Sequence, residues 1–478
     1  MIKPTHPIHQ ATLIRNLQKH PVFLAVGISA LFMFVSSVLR HELFNSSGDL
    51  AFFDQGVYLI SQGKPPIASV LGFHVLADHA AWILYFIALL YKVYPSVYWL
   101  FAVQAIALAL GAIPTYLLAV QAGLKEHLAT AMVAVYLLYP VVYNSALADF
   151  HPDVIALPAL LTAILAARAN RTVWFCLSII LVLGCKAVLA LTVFGLGVWL
   201  LLFEKRRVYG AIAIASGIAW FLIANKLIIP FFGTEAALVN RHLYRYSYFG
   251  SSFADTLNIF LAKPQVVLAN LFSPLNFEYL ALLLAPVVWG LRPRYMAPLI
   301  AAIPCLALNL LADHASQKNV ILHYSLPIIP FLMVALIASL AAGKAWIQSR
   351  RAIILWSLVG FAALGKVWFF GSNYLNHLDN LSATREAIAL VNPTDSVFTT
   401  DIIAPHLTHR QTIGYNYQKV QAENGFSKFH YVLINTRHPG WAADPQVYKD
   451  LVNDLSQQPR VRLQYKKDDV YLFEQSSS

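Results

Sequence analysis

The sequence predicts a mainly α, polytopic membrane protein of about eleven transmembrane helices with a small C-terminal α/β domain. Three observations lead there. Of 478 residues, 58% are hydrophobic and 12% charged, whereas a soluble domain carries about a quarter charged residues. Apolar stretches long enough to cross about 30 Å of hydrocarbon recur up to residue 371. From Asn373 the texture changes to polar stretches, turn pairs such as Asn392-Pro393 and short alternating runs.

The spans read near 21–39, 97–120, 128–147, 154–168, 172–184, 187–203, 208–229, 277–291, 295–311, 324–342 and 352–370. The run 172–203 is too long for one crossing, and Lys186 divides it into two short helices. Beyond them, Thr384–Val391 and Val447–Ser456 read as helices and Ser396–Thr400 and Tyr431–Asn435 as strands. Val461–Tyr465 and Val470–Glu474 read as a hairpin about Lys467-Asp468-Asp469. Two domains are expected: a membrane part over 1–371, whose first outer loop is 40–96, and an extracytoplasmic α/β domain over 372–478.

Charge distribution sets the orientation. Residues 1–371 hold 24 Lys and Arg against 12 Asp and Glu, and 372–478 hold 10 against 11, so the net +11 belongs to the apolar part. If 79–94 lies on the outer surface instead of crossing, every short basic loop falls on the side of the N-terminus, with only Glu126 and Glu204 among the acids. Positive residues in short loops mark the cytoplasmic side. The sequence thus places the N-terminus in the cytoplasm and the C-terminal domain on the outer side. The basic excess is an orientation signal with anionic-lipid contact, and it does not require nucleic acid. Cys176, Cys185 and Cys305 all lie in apolar runs, which leaves neither a disulfide framework nor a zinc cluster.

Three clusters fall on the outer side in this topology. Ser46-Ser47-Gly48-Asp49 through Asp54-Gln55 follows the first span. Gly48 permits a sharp exit, and Asp49 or Asp54 suits a general base, while a helix cap over Leu50–Ile60 explains the same residues. His74 with Asp78-His79 opens the surface segment, either as a divalent-metal or phosphate site or as an interfacial anchor. Asp149-Phe150-His151-Pro152-Asp153 stands between spans. Pro152 and Asp153 suit a helix start, yet three ionisable groups exceed what a cap requires. Arg241 and Arg245 lie among tyrosines in 230–265, where they would bind phosphate and sugar or form an aromatic belt. His323-Tyr324 adds a polar edge beside Pro327 and Pro330.

These residues, with Gln104 and Gly111-Ala112-Ile113-Pro114, resemble the bacterial membrane family called domain of unknown function 2079. That family is in turn similar to the GT-C superfamily of polytopic glycosyltransferases, over most of 40–345. The resemblance implies a GT-C-like helical bundle, a lipid-linked sugar phosphate as donor, and an essential acid in a first outer loop lying on the membrane. By position Asp49 is that acid, and Asp149 or Asp153 is the acid of the second motif. Asp49 and Asp54 are five apart instead of forming a tight pair, and Ala80-Ala81 replaces the common Pro-Pro. The expected function is transfer of a sugar from a polyprenyl-phosphate donor to an envelope acceptor at the outer, periplasmic face of a bacterial inner membrane, with Asp49 as base and Asp54 as its alternate. Arg241 and Arg245 would steady the leaving phosphate, with Lys186 behind them. His74, Asp78, His79, Asp149, His151, Asp153, His323 and Tyr324 would bind substrate. A divalent ion on Asp49, Asp149 and Asp153 is the one cofactor considered. The rival readings are a transporter or lipid flippase, and a non-catalytic assembly protein whose outer domain recruits partners.

Overall fold

The computed structural model describes residues 21–233, 244–250, 253–422, 425–440 and 443–475. Helix coincides with each of the eleven apolar segments. Four helices are long and apolar enough to cross a membrane unbroken: Pro21–Glu42, Tyr98–Gln121, Arg207–Phe232 and His323–Ala341. Three bent pairs, with angles of 45°, 44° and 42°, raise this to seven if each pair is one span.

The difference from eleven has local causes. Pro140 breaks the segment read at 128–147 into Glu126–Leu137 and Pro140–Ala146, because proline supplies no N–H to the preceding turn. Thr172–Leu183 and Leu189–Leu202 are separate helices, as the position of Lys186 required. At about 18–21 Å each they are shorter than the hydrocarbon layer. Ile83–Val93 has 11 residues, about 16 Å, too short to cross. Its exposed Phe86, Leu89 and Val93 suit a helix lying on lipid.

The described chain divides into two compact units. The first gathers 21–34, Leu76–Ile83 and Ala102–Val367, and the second gathers Val35–Val75, Leu84–Phe101 and 368–475. Most of the first outer loop thus belongs to the same compact unit as the C-terminal sheet.

Within the first unit, helices pack through small residues. Gly197 and Gly210 let the helices Leu189–Leu202 and Arg207–Ile223 approach backbone to backbone, since a Cβ at Gly197 would lie 2.8 Å from the Gly210 carbonyl. Ala80, Ala187, Ala224 and Ile229 form a small buried core where 79–83 runs beside the break at 184–187.

In the second unit, Ile67–Ala68 (β1) and Phe73–His74 (β2) make a two-stranded antiparallel ladder. The C-terminal sheet has five strands: Val397–Thr399 (β3), Ile413–Gly414 (β4), Tyr431–Asn435 (β5), Val461–Lys467 (β6) and Val470–Gln475 (β7), in the order β4-β3-β5-β7-β6. The first three are parallel and the last three antiparallel. All five residues of β5 are buried, as expected for a central strand covered on both faces. Phe398, Ile434, Leu451, Leu455 and Phe473 are among its core. The hairpin turns at Asp468 and Asp469, both with positive φ (47° and 65°), the conformation of the tight turn whose twist matches paired strands.

Candidate functional site

In the first unit Asp78-His79 and the segment Asp149–Asp153 are found together with Lys186, Arg245, His323 and Tyr324. The loop before Asp149 is fixed by Gln104, whose amide donates to the carbonyls of Ala146 (2.8 Å) and Ala148 (3.2 Å). His151 Nδ1 lies 2.9 Å from the Asp149 carbonyl. That oxygen can only accept, so Nδ1 carries the proton. Pro152 caps the helix Asp153–Arg168, which puts the Asp153 carboxylate in the first turn at the positive end of the helix.

His79 arrives by a different route. The strap 79–83 is stitched to the break at 184–187 by two backbone bonds, Ala187 N–H to His79 carbonyl (2.7 Å) and Ile83 N–H to Gly184 carbonyl (3.1 Å). Residue 184 must be glycine because a Cβ there would lie 2.3 Å from the Trp82 ring. Ala80 takes φ +51° and is fully buried, a left-handed geometry that costs an alanine about 1–2 kcal/mol. His79 Nε2 lies 3.1 Å from Asp78 Oδ2.

Lys186, Asp153 and His323 form a buried group. Lys186 Nζ is 3.7 Å from Asp153 Oδ2 and 3.4 Å from His323 Nε2, and His323 Nε2 is 3.8 Å from the same carboxylate oxygen. The His323 ring stacks on His151 with centroids 3.6 Å apart, and His79, His151, Lys186 and Arg245 all act on it electrostatically. Both Lys186 Nζ (5.9 Å) and the Arg245 guanidinium (5.3 Å) face the Tyr324 ring. Arg245 is placed by its own carbonyl, which accepts from the Asp313 N–H at 2.8 Å. Asp153 Oδ1 and His323 Nδ1 are buried with no hydrogen-bond partner. The polar core is therefore incompletely satisfied, as sites reserved for a ligand often are. Arg241 lies outside the described residues.

The other expected site residues, Asp49, Asp54 and His74, belong to the second unit. Asp49 is exposed in the first turn of the helix Gly48–Ser61. Asp54 is 1% exposed. Its carboxylate accepts from Tyr91 Oη (2.5 Å) and from the Thr408 hydroxyl, and lies 3.2 Å from His409 Nε2. Burial lowers the His409 pKa, but the Asp54 carboxylate outweighs it and leaves the imidazole above its ordinary range. His409 also stacks on Tyr58 (4.7 Å). His74 ends β2 opposite Ile67.

Two local expectations change. The sharp exit from the first span is made by Phe44 (φ +56°) and not by Gly48. Asn45 N–H returns to the Arg40 carbonyl (3.1 Å) and Phe44 N–H to His41 (2.8 Å), a Schellman-type close. Ser47 makes no side-chain cap; the Gly48 N–H donates instead to Asp401 Oδ1 at 2.8 Å. Among the described residues, no three His, Cys, Asp or Glu side chains converge as metal ligands. His409, Thr408 and Asp401 were not legible as partners of the first loop: each lies more than 300 residues beyond it along the chain, and none belongs to a motif.

A family model described as predicted membrane protein, DUF2079, matches residues 40–472. The chain belongs to the DUF2079 family. No curated protein matches it. Among solved structures, this DUF2079 protein is similar to ArnT from Cupriavidus metallidurans bound to undecaprenyl phosphate. The identity is 13% and the TM-score 0.56, over 96% of this chain and 98% of that one. The apo form of the same ArnT aligns at 11% identity and a TM-score of 0.58, with the same coverage. The DUF2079 chain therefore shares the fold of that ArnT along nearly its whole length, whereas the resemblance read from the sequence covered most of 40–345.

Proposed function

We propose that this protein is an inverting glycosyltransferase that moves a sugar from a polyprenyl-phosphate donor to an envelope acceptor at the periplasmic face of the inner membrane. The observation that carries the reading is the buried Lys186–Asp153–His323 group with Arg245 and Tyr324 beside it. Two cations and an aromatic face suit a phosphate bearing a sugar. That ArnT was solved with undecaprenyl phosphate supports the same ligand class.

In the proposed step the acceptor hydroxyl oxygen attacks the anomeric carbon while Asp49 takes its proton. The bond from that carbon to the phosphate oxygen breaks, and polyprenyl phosphate leaves with the bonding pair. A phosphate leaves as a stable anion, so cations at Lys186 and Arg245 assist it and no protonating acid is needed. Asp78, His79, Asp149 and His151 orient the acceptor in this reading, and the exposed apolar face of Ile83–Val93 holds the first loop on the lipid surface.

The test is transfer from purified polyprenyl-phosphate sugars in proteoliposomes, with the donor identified by mass spectrometry of lipid-linked sugars in a deletion strain. Asp49→Asn should lower turnover at least a hundredfold at normal protein levels. Unchanged turnover would remove Asp49 from the role. Uptake of solute without consumption of lipid-linked sugar would favour a transporter.

A further inference from the structure

The parallel strands of the C-terminal sheet reverse direction of winding at β3: the chain passes from β3 to β4 on one side, then to β5 on the other. In open α/β sheets, ligands occupy the crevice beyond the carboxyl ends of the strands at such a reversal. Asp401 lies just past the end of β3 and Tyr415 just past β4. What they hold is part of the same chain, the start of the helix Gly48–Ser61. The Gly48 N–H donates to Asp401 Oδ1 at 2.8 Å. A Cβ at Gly48 would lie 2.2 Å from the Tyr415 hydroxyl, so only glycine allows this approach. Asp401 is closed in from the other side by Gly440 (φ +129°), where a Cβ would sit 2.6 Å from the Asp401 Cβ, and its own N–H donates to the Pro439 carbonyl at 3.3 Å.

The helix so held carries Asp49 at its next residue. Asp401 satisfies the first of the open N–H groups at the start of this helix, from more than 350 residues away. One further tie fixes the same helix. Gln55 donates to the Arg410 (3.1 Å) and Gln411 (3.2 Å) carbonyls and to Ser69 Oγ (2.9 Å), and Ser69 in turn both accepts from and donates to the backbone of Ile413. We infer that Asp401 is a positioning residue for the reaction, holding the first turn of the Gly48–Ser61 helix so that Asp49 is presented in a fixed direction. This rests on the reading of Asp49 as the catalytic base.

The experiment compares Asp401→Ala, Asp401→Asn and Gly48→Ala in the full-length protein in detergent. Hydrogen–deuterium exchange over residues 47–54 and steady-state transfer with varied donor are measured together. Asp401→Ala should raise exchange of this segment at least tenfold and lower kcat ten- to a hundredfold, with the donor KM within twofold. Asp401→Asn keeps an acceptor oxygen and should stay within about threefold of the parent in both. Gly48→Ala should reproduce the Asp401→Ala defect, and adding Tyr415→Ala should restore most of the rate. Unchanged exchange in Asp401→Ala overturns the inference, and so does raised exchange with unchanged kcat. If the parent shows no transfer from any polyprenyl-phosphate sugar, the functional reading falls, and the exchange result alone still decides whether Asp401 holds the helix.

Discussion

Lys186 Nζ stands 3.7 Å from Asp153 Oδ2, and each side chain is at most 10% exposed. A buried pair at this spacing, with Asp153 Oδ1 lacking a partner, stabilises the fold less than a well-packed apolar pair would. Removing one member strands the other. Lys186→Met is expected to lower stability by about 3 kcal/mol, and Lys186→Met with Asp153→Asn to recover part of that. Thermal unfolding in detergent measures both. Equal loss in the single and double variants would refute the coupling.

Arg245 and Tyr324 give a second test. Arg245→Lys keeps the charge but loses the planar guanidinium that faces the ring at 5.3 Å. It should raise the donor KM about tenfold while kcat changes less than threefold. Tyr324→Leu should act in the same direction. Binding of undecaprenyl phosphate, followed by native mass spectrometry, should weaken in parallel.

The pH profile of stability carries two opposite slopes. His409 is held above its ordinary pKa by Asp54. Its contribution is complete below about 6.5 and is lost as pH rises through the raised folded value. His406, which stacks on His41 at 3.9 Å, is lowered by burial to about 4. Its contribution is complete above about 6.5 and is lost as pH falls toward 4, on the order of 3 kcal/mol in all. Melting temperature against pH should therefore fall on the acid side, and His406→Phe should flatten that limb. His409→Gln should flatten the alkaline one.

Asp54 is tied into the fold on three sides. Asp54→Ala should destabilise by about 3 kcal/mol, the range for stranding buried hydrogen-bonded groups. Asp54→Asn should cost less, since an amide oxygen still accepts from Tyr91 or Thr408. Specific activity of the folded fraction is the discriminating measurement: a loss matching that of Asp49→Asn would give Asp54 a chemical role as well.

Gly184→Ala should lower stability by about 1–3 kcal/mol, the usual range for overpacking, because the new methyl meets the Trp82 ring. Trp82→Leu in the same chain should relieve most of it.

The periodic and compositional features were readable in advance. The eleven apolar segments became helices, and β5 spans Tyr431–Asn435 as read from its short apolar run and flanking turns. The hairpin about Asp468-Asp469 formed because both residues tolerate positive φ. Lys186 marked a real break because a lysine is costly inside an apolar helix. The two-residue strand β4 escaped notice, since Ile413-Gly414 has no period to detect. The partners of the first loop escaped for a different reason. Gly48 looked like a flexible exit, and nothing near it in the chain announces that its bare Cα answers to Tyr415. The left-handed turn fell instead on Phe44, a residue whose side chain disfavours it, where burial against His406 (4.2 Å) offsets the cost. Asp54 is legible as an acid, but its neighbours come from residues 91, 408 and 409.

The docking of Gln55 and Ser69 onto the backbone of residues 410–413 has a bearing on biosynthesis. A nascent chain inserts its early helices long before those residues leave the ribosome, and until they do, the segment bearing Asp49 lacks its seat. Seating of that segment is thereby deferred to the end of synthesis, so a chain interrupted after its last apolar segment would carry a first loop with nothing to dock onto.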